Sequence, residues 1–210
     1  MRVKHVLVES VTQISFPELF GGVAGLDFAN TLDGRATAQP EEYLHTYADL
    51  VSWASYAGVI DSPTAARLAK CPPAAALHTA LELREAIFGV FAAIGRHETA
   101  PADALAVVQR RYADAMAAAR LAPADAGFTW YYVEMTADRA WWPLAVSAVQ
   151  LLTAGPLDRV KVCAAEAGCI GLFLDTSKNR SRRWCTTDGC GVDAKVQRQA
   201  IRRQAARSIG

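Results

Sequence analysis

Residues 163–190 read CAAEAGCIGLFLDTSKNRSRRWCTTDGC and hold four of the five cysteines in the 210-residue chain. Five residues separate Cys163 from Cys169, four separate Cys185 from Cys190, and fifteen lie between Cys169 and Cys185. Two short-spaced pairs with a connector of this length suit a tetrahedral four-thiolate shell, because each pair forms one knuckle and the connector folds back between them. Gly168, Gly189 and Gly191 stand where such knuckles need tight turns. Two disulfides are the other use of four cysteines. The opening VKHVLVESVTQ is too short and too polar for a secretory leader, so the expected compartment is the cytoplasm, where thiols stay reduced. Four thiolates leave no open coordination position, so the expected cofactor is one structural Zn²⁺ with no catalytic part.

Charge divides the chain at the same place. Residues 159–210 carry eleven Lys and Arg against four acids, net +7, whereas residues 1–158 carry eleven against seventeen, net −6; the overall charge of +1 hides this polarity. A basic lobe attracts polyanions through phosphate contacts and counterion release, or it docks on an acidic protein surface, including that of its own chain. The connector supplies Lys178, Asn179, Arg180, Arg182 and Arg183 as phosphate donors, with Thr176 and Ser177 just before them. After Cys190 a helix is expected, with Lys195, Arg198 and Arg202 in one row and Val192, Val196 and Ala200 as an opposite stripe that packs on the knuckles. Phe173 reads as packing for the metal lobe, and Trp184, beside a cysteine, either shields the metal or meets a base.

The segments KVC, CIGLFLDTSKNRSRRWC and CGVDAKV resemble the CGNR zinc finger. The front-end stretches GLDFANTLDGR at 25–35 and YADLVSWASYAGVI at 47–60 resemble the stress-induced, ABATE-type domain that accompanies that finger. The resemblance implies a bacterial transcription regulator whose finger binds DNA. Two departures stand out: the first cysteine pair is one residue longer than in the family, and Val192-Asp193 replaces the Asn-Arg that follows the last cysteine and glycine. A carboxylate at Asp193 weakens a phosphate contact there while leaving the four thiols intact.

A 52% hydrophobic, 20% charged composition suits one sizeable core plus a small module, and no apolar run approaches a membrane span. The expected fold is mainly α: an α-helical domain with a small β hairpin over residues 1–155, followed by a four-cysteine zinc module with a basic C-terminal helix over residues 156–210. Helices are expected from Pro40 to Gly58, from Ser62 to Cys71, from 74 to 95 with Leu77, Leu81, Phe88, Phe91 and Ile94 inward, and from 101 to 119 with Leu105, Val108, Tyr112 and Met116 inward. FTWYYVEM at 128–135 reads as a strand, Asp138 as the cap of a helix reaching Leu152, and Gly155-Pro156 as a hinge.

Nothing in the body points to an enzyme. His5, His45, His78 and His97 are dispersed, Cys71 sits beside two prolines, and the glycines at 21, 22 and 25 lack a P-loop lysine. One polar group in the body has a binding reading: Asp27, Asn30 and Arg35 form a candidate edge of an effector pocket, as against bracing a helix start. Trp53, Tyr56, Trp130, Trp141 and Trp142 are candidate lining or plain core. Expected partners are therefore DNA, a small-molecule effector and a second copy in a homodimer, with no membrane. The alternative function is a zinc-stabilised interaction module whose basic finger docks on an acidic protein.

Overall fold

The computed structural model describes residues 16–73, 75–165 and 168–207. Seven helices and three two-stranded antiparallel sheets are present among them, and the mainly α expectation with a small four-cysteine module holds. The opening VKHVLVESVTQ and His5 lie outside the described residues.

Helix α4 (Ala76–Gly95) is the spine. Its deepest stripe is Ala80, Leu83, Ile87, Val90 and Phe91, whereas the expected inward residues Leu77, Leu81, Phe88 and Ile94 are half-buried. The difference arises because α4 is covered on several sides, so one amphipathic stripe understates its burial. Helix α5 (Ala102–Ala118) buries Val108 and Ala115 against it and leaves Leu105 exposed. Helix α6 (Trp142–Ala154) and the short α1 (Ala24–Ala29) complete the bundle. At Gly25 a side chain would meet the Ala148 backbone nitrogen at 3.2 Å, so glycine lets α1 and α6 approach closely.

Glu41 and Glu42 do not open a helix. They form β2, paired with β1 (Leu32–Asp33), and α2 (Tyr47–Tyr56) begins later at a Thr46–Asp49 capping box. That box satisfies two free backbone N–H groups at once, which outweighs the acidic first-turn signal at 41–42. Helix α3 (Ser62–Leu68) follows, N-capped by Asp61. The expected strand at 128–135 appears as β4 (Gly127–Tyr132), in a hairpin with β3 (Ala119–Ala124). Asp138 caps no helix through its side chain; its carboxylate accepts the Trp141 indole N–H at 3.0 Å.

The chain then makes β5 (Val160–Val162) and β6 (Leu172–Leu174), an antiparallel hairpin packed on α4. Strand alternation divides its side chains: Val160, Leu172 and Leu174 join the main core, and Phe173 points to the cysteines. The Asn30 side chain donates to the Leu172 carbonyl and accepts the Leu172 N–H at 2.9 and 2.8 Å, and Leu174 N–H reaches the Gly21 carbonyl. Gly155-Pro156 therefore joins two tightly bonded parts and does not act as a hinge between free lobes. A single wide π-type turn at Thr187–Gly191 leads into α7 (Val192–Arg207).

Candidate metal centre and nucleic-acid groove

The cysteine sulfurs of 163, 169, 185 and 190 all lie within 4.8 Å of one another, with 3.6 Å between Cys169 and Cys185 and 3.5 Å between Cys185 and Cys190. A tetrahedron of thiolates around zinc, with bonds of about 2.3 Å, has sulfur–sulfur edges of about 3.8 Å. The quartet fits that shell, and its separations are far longer than the roughly 2.05 Å of a disulfide. Cys163 and Cys185 are buried, and Phe173 and Trp184 pack over the cluster. Gly168 makes the wide first knuckle possible: it has φ +88°, and a side chain there would strike Thr37 at 2.9 Å. Gly189 and Gly191 sit in the π-type turn without positive φ. Cys185 N–H points at the Cys163 sulfur, 3.4 Å away.

The thiols cannot ionise independently. Hydrogen bonds from Cys169 and Cys185 hold Cys163 far below the usual thiol value, while the bond to Cys163 pushes Cys169 and Cys185 up and burial pushes Cys190 up. Four thiolates in this volume need a divalent cation to offset their mutual repulsion.

The connector is built around one buried carboxylate. Asp175 is fully buried; it receives Lys161 Nζ at 2.5 Å, the Ser177 hydroxyl and N–H, and the Arg182 N–H. Burial works to raise its pKa, but the Lys161 ammonium and Ser177 outweigh this and hold it well below the carboxylate range. A depressed native value stabilises the fold above the unfolded pKa of about 4 and loses that contribution as pH falls below it. Acid titrations followed by circular dichroism should therefore show a stability loss below about pH 4 that Asp175→Asn lacks, the variant being already weakened at neutral pH.

The structure sorts the expected DNA-contacting residues. Lys178 and Asn179 are exposed, and Arg180 pairs with Asp158. Arg182 is turned inward: its guanidinium donates to the carbonyls of Trp184, Leu174, Phe20 and Cys185 and lies 4.3 Å from the Phe173 ring centre. Those bonds make Arg182 a clamp within the fold. Arg183, Lys195 and Arg198 share a groove of about 640 Å³ between the connector and α7, which Arg182 also lines. Trp184 lies in it, with the Arg183 and Arg198 guanidiniums 5.4 and 5.5 Å from its ring centre. Thr176, Ser177, Ser181, Thr186 and Thr187 line the same groove. Sequence reading passed over Thr186 and Thr187; their position inside the second cysteine pair was the available signal. The Arg202 side chain lies outside the described residues. Val192 and Val196 are 46% and 59% exposed, so they do not pack on the knuckles as expected. The first turns of α7 adjoin the finger, and residues 195–201 along the helix are exposed.

The candidate effector residues are bound internally. Asp27 accepts the Gly21 N–H at 2.7 Å, with burial raising its pKa; Asn30 is committed to Leu172. Arg35 pairs with Glu85, donates to the Ala29 carbonyl and lies over Phe88. The space between Asn30 and Arg35 is about 10 Å³, scarcely one water. These side chains brace the fold, and the space excludes an organic effector at that edge. Trp53, Trp141 and Trp142 are core, while Tyr56 and Trp130 are half exposed. Among the described residues no helix is long and apolar enough to cross a membrane.

Comparison with protein families finds two matches. The ABATE model, described as "Putative stress-induced transcription regulator", covers residues 22–155, and the CGNR zinc finger model covers residues 159–203. No curated protein matches the chain.

Proposed function

The chain belongs to the ABATE family and continues into a CGNR zinc finger, and from that premise we propose that it is a cytoplasmic transcription regulator that binds DNA through the groove beside Trp184. In this reading residues 1–155 form the sensing or association part and residues 156–210 the finger. Cys163, Cys169, Cys185 and Cys190 hold one structural zinc ion, which fixes the knuckles and leaves chemistry to no one, since both matched families are regulatory or zinc-finger types.

The observation that carries the proposal is the groove's composition. Four cations from two elements, Arg182, Arg183, Lys195 and Arg198, line one concave surface with five hydroxyl side chains beside an aromatic ring, Arg182 being largely engaged by backbone carbonyls. Guanidinium, ammonium and hydroxyl donors are the groups that bind phosphate oxygens, and Trp184 adds a face on which a base or sugar can rest. Lys178 and Arg180 extend the positive surface along the connector. Asp193, exposed at the start of α7, takes no phosphate.

The test is fluorescence anisotropy of the zinc-loaded chain with random-sequence duplex DNA across a salt series. Affinity should fall linearly in log–log form, and Arg183→Ala/Lys195→Ala/Arg198→Ala should lower the slope by about 3, at roughly 0.9 per phosphate contact. Absence of binding at low salt with zinc retained would overturn the DNA reading and assign the basic groove to an acidic protein.

A further inference from the structure

The β3–β4 hairpin presents a large uncovered apolar surface. Its register places Ala119 opposite Tyr132, Leu121 opposite Trp130, and Pro123 opposite Phe128. Directly paired residues of an antiparallel ladder share a face, so these six side chains form one face without a charge. At its root Tyr132 stacks near Trp142, 4.9 Å between ring centres. Further out, Leu121 is 54%, Trp130 52% and Phe128 71% exposed. A groove of about 540 Å³ opens beside Trp130, lined by Pro143 and Val146 of α6 together with one acid and one base, Asp61 and Arg139.

A two-stranded sheet with an exposed aromatic face is marginal by itself in water. We propose that this hairpin face is the interface of a two-fold homodimer, with the occupant a second copy of the same face. Charge selects this partner. Among residues 119–135 only Arg120, Asp125 and Glu134 are charged, and none of them belongs to the apolar face. Two copies of the hairpin face therefore meet without like-charge repulsion, and the adjoining groove adds one acid and one base, Asp61 and Arg139, with no net charge. Area agrees. Leu121, Phe128, Trp130 and the adjoining groove wall remove on the order of 1,000 Å² across two copies, the lower bound of a specific interface. A closed two-fold contact lets each residue meet its own counterpart region, which a single self-complementary patch requires. The inference stands independently of the DNA reading.

Sedimentation velocity of the zinc-loaded full chain tests it. The expected result is a concentration-dependent shift from the 22.6 kDa chain mass to twice that value. Phe128→Asp should abolish the dimer over the same concentrations with unchanged circular dichroism and zinc content, because the side chain is exposed at the hairpin end. Trp130→Ser gives a second reading should the first variant lose its fold. Val196→Ser on the exposed side of α7 should leave the dimer intact. A wild-type chain that stays monomeric throughout overturns the proposal, as does a dimer that survives both hairpin variants or dissociates only with Val196→Ser.

Discussion

Replacing Cys185 by serine will remove the metal and unfold the two cysteine knuckles while leaving the helical body folded. The Cys185 sulfur lies 3.6 Å from that of Cys169 and 3.5 Å from that of Cys190, and its backbone N–H serves Cys163. The small cluster around it contains Cys163 and Phe173 as its other buried members, with Trp184 packed alongside. That is too little apolar surface to order two knuckles, so metal binding carries the local folding energy, on the order of 10 kcal/mol for a thiolate site. Metal analysis should fall to background, Trp184 emission should shift to the red, and proteolysis should begin in the connector. The main core, which runs from Leu26 to Leu151 and takes in Val160, Leu172 and Leu174, includes none of the four clustered cysteines, so the far-ultraviolet helical signal should persist. Unchanged zinc content in this variant would refute the four-cysteine assignment.

The second large effect belongs to Arg182, and it separates two roles that look alike in sequence. Arg182→Ala should destabilise the whole chain by about 3 kcal/mol or more, because four carbonyl acceptors lose a charged donor. Loss of the guanidinium over Phe173 adds about 1 kcal/mol. Its neighbour Arg183 is exposed, with its guanidinium beside the Trp184 ring; Arg183→Ala should leave stability within about 0.5 kcal/mol of wild type. Urea denaturation of the two variants side by side makes the comparison. Equal stabilities would show that the inward bonds contribute nothing net and would leave Arg182 as one more donor to the groove it lines. The result also bears on how mutants of the basic run are read: any loss of binding in a chain carrying Arg182→Ala would come through its fold, so tests of the proposed DNA groove should use Arg183, Lys195 and Arg198.

The two variants also bear on how the parts of the chain are coupled. Arg182 reaches the Phe20 carbonyl, Asn30 pairs with Leu172, and Leu174 pairs with Gly21. The connector, the strap before α1 and strand β6 are thus held by one set of polar bonds. A change in the body that moved α1 would be felt at the finger through these contacts, without a flexible linker.

Cysteine spacing, a property of the chain alone, was enough to place the four thiols together, because a metal shell fixes ligand type and loop length locally. The helical class, the 127–132 strand and the charge polarity were legible for the same reason: each rests on periodicity, composition or short-range pairing. What sequence could not supply was direction. The run from Lys178 to Arg183 is uniform in charge, yet Arg182 points inward and Arg183 outward, because only the folded connector brings four carbonyls around one of them. Asp27, Asn30 and Arg35 resembled a pocket edge until the Gly21 N–H, Leu172, 142 residues beyond Asn30, and Glu85 respectively took up bonds to them. Likewise the apolar face of the hairpin follows from its register, but its exposure depends on which helices stop short of it. Local chemistry wrote the metal centre into the sequence; long-range packing determined which charged side chains were left free to act.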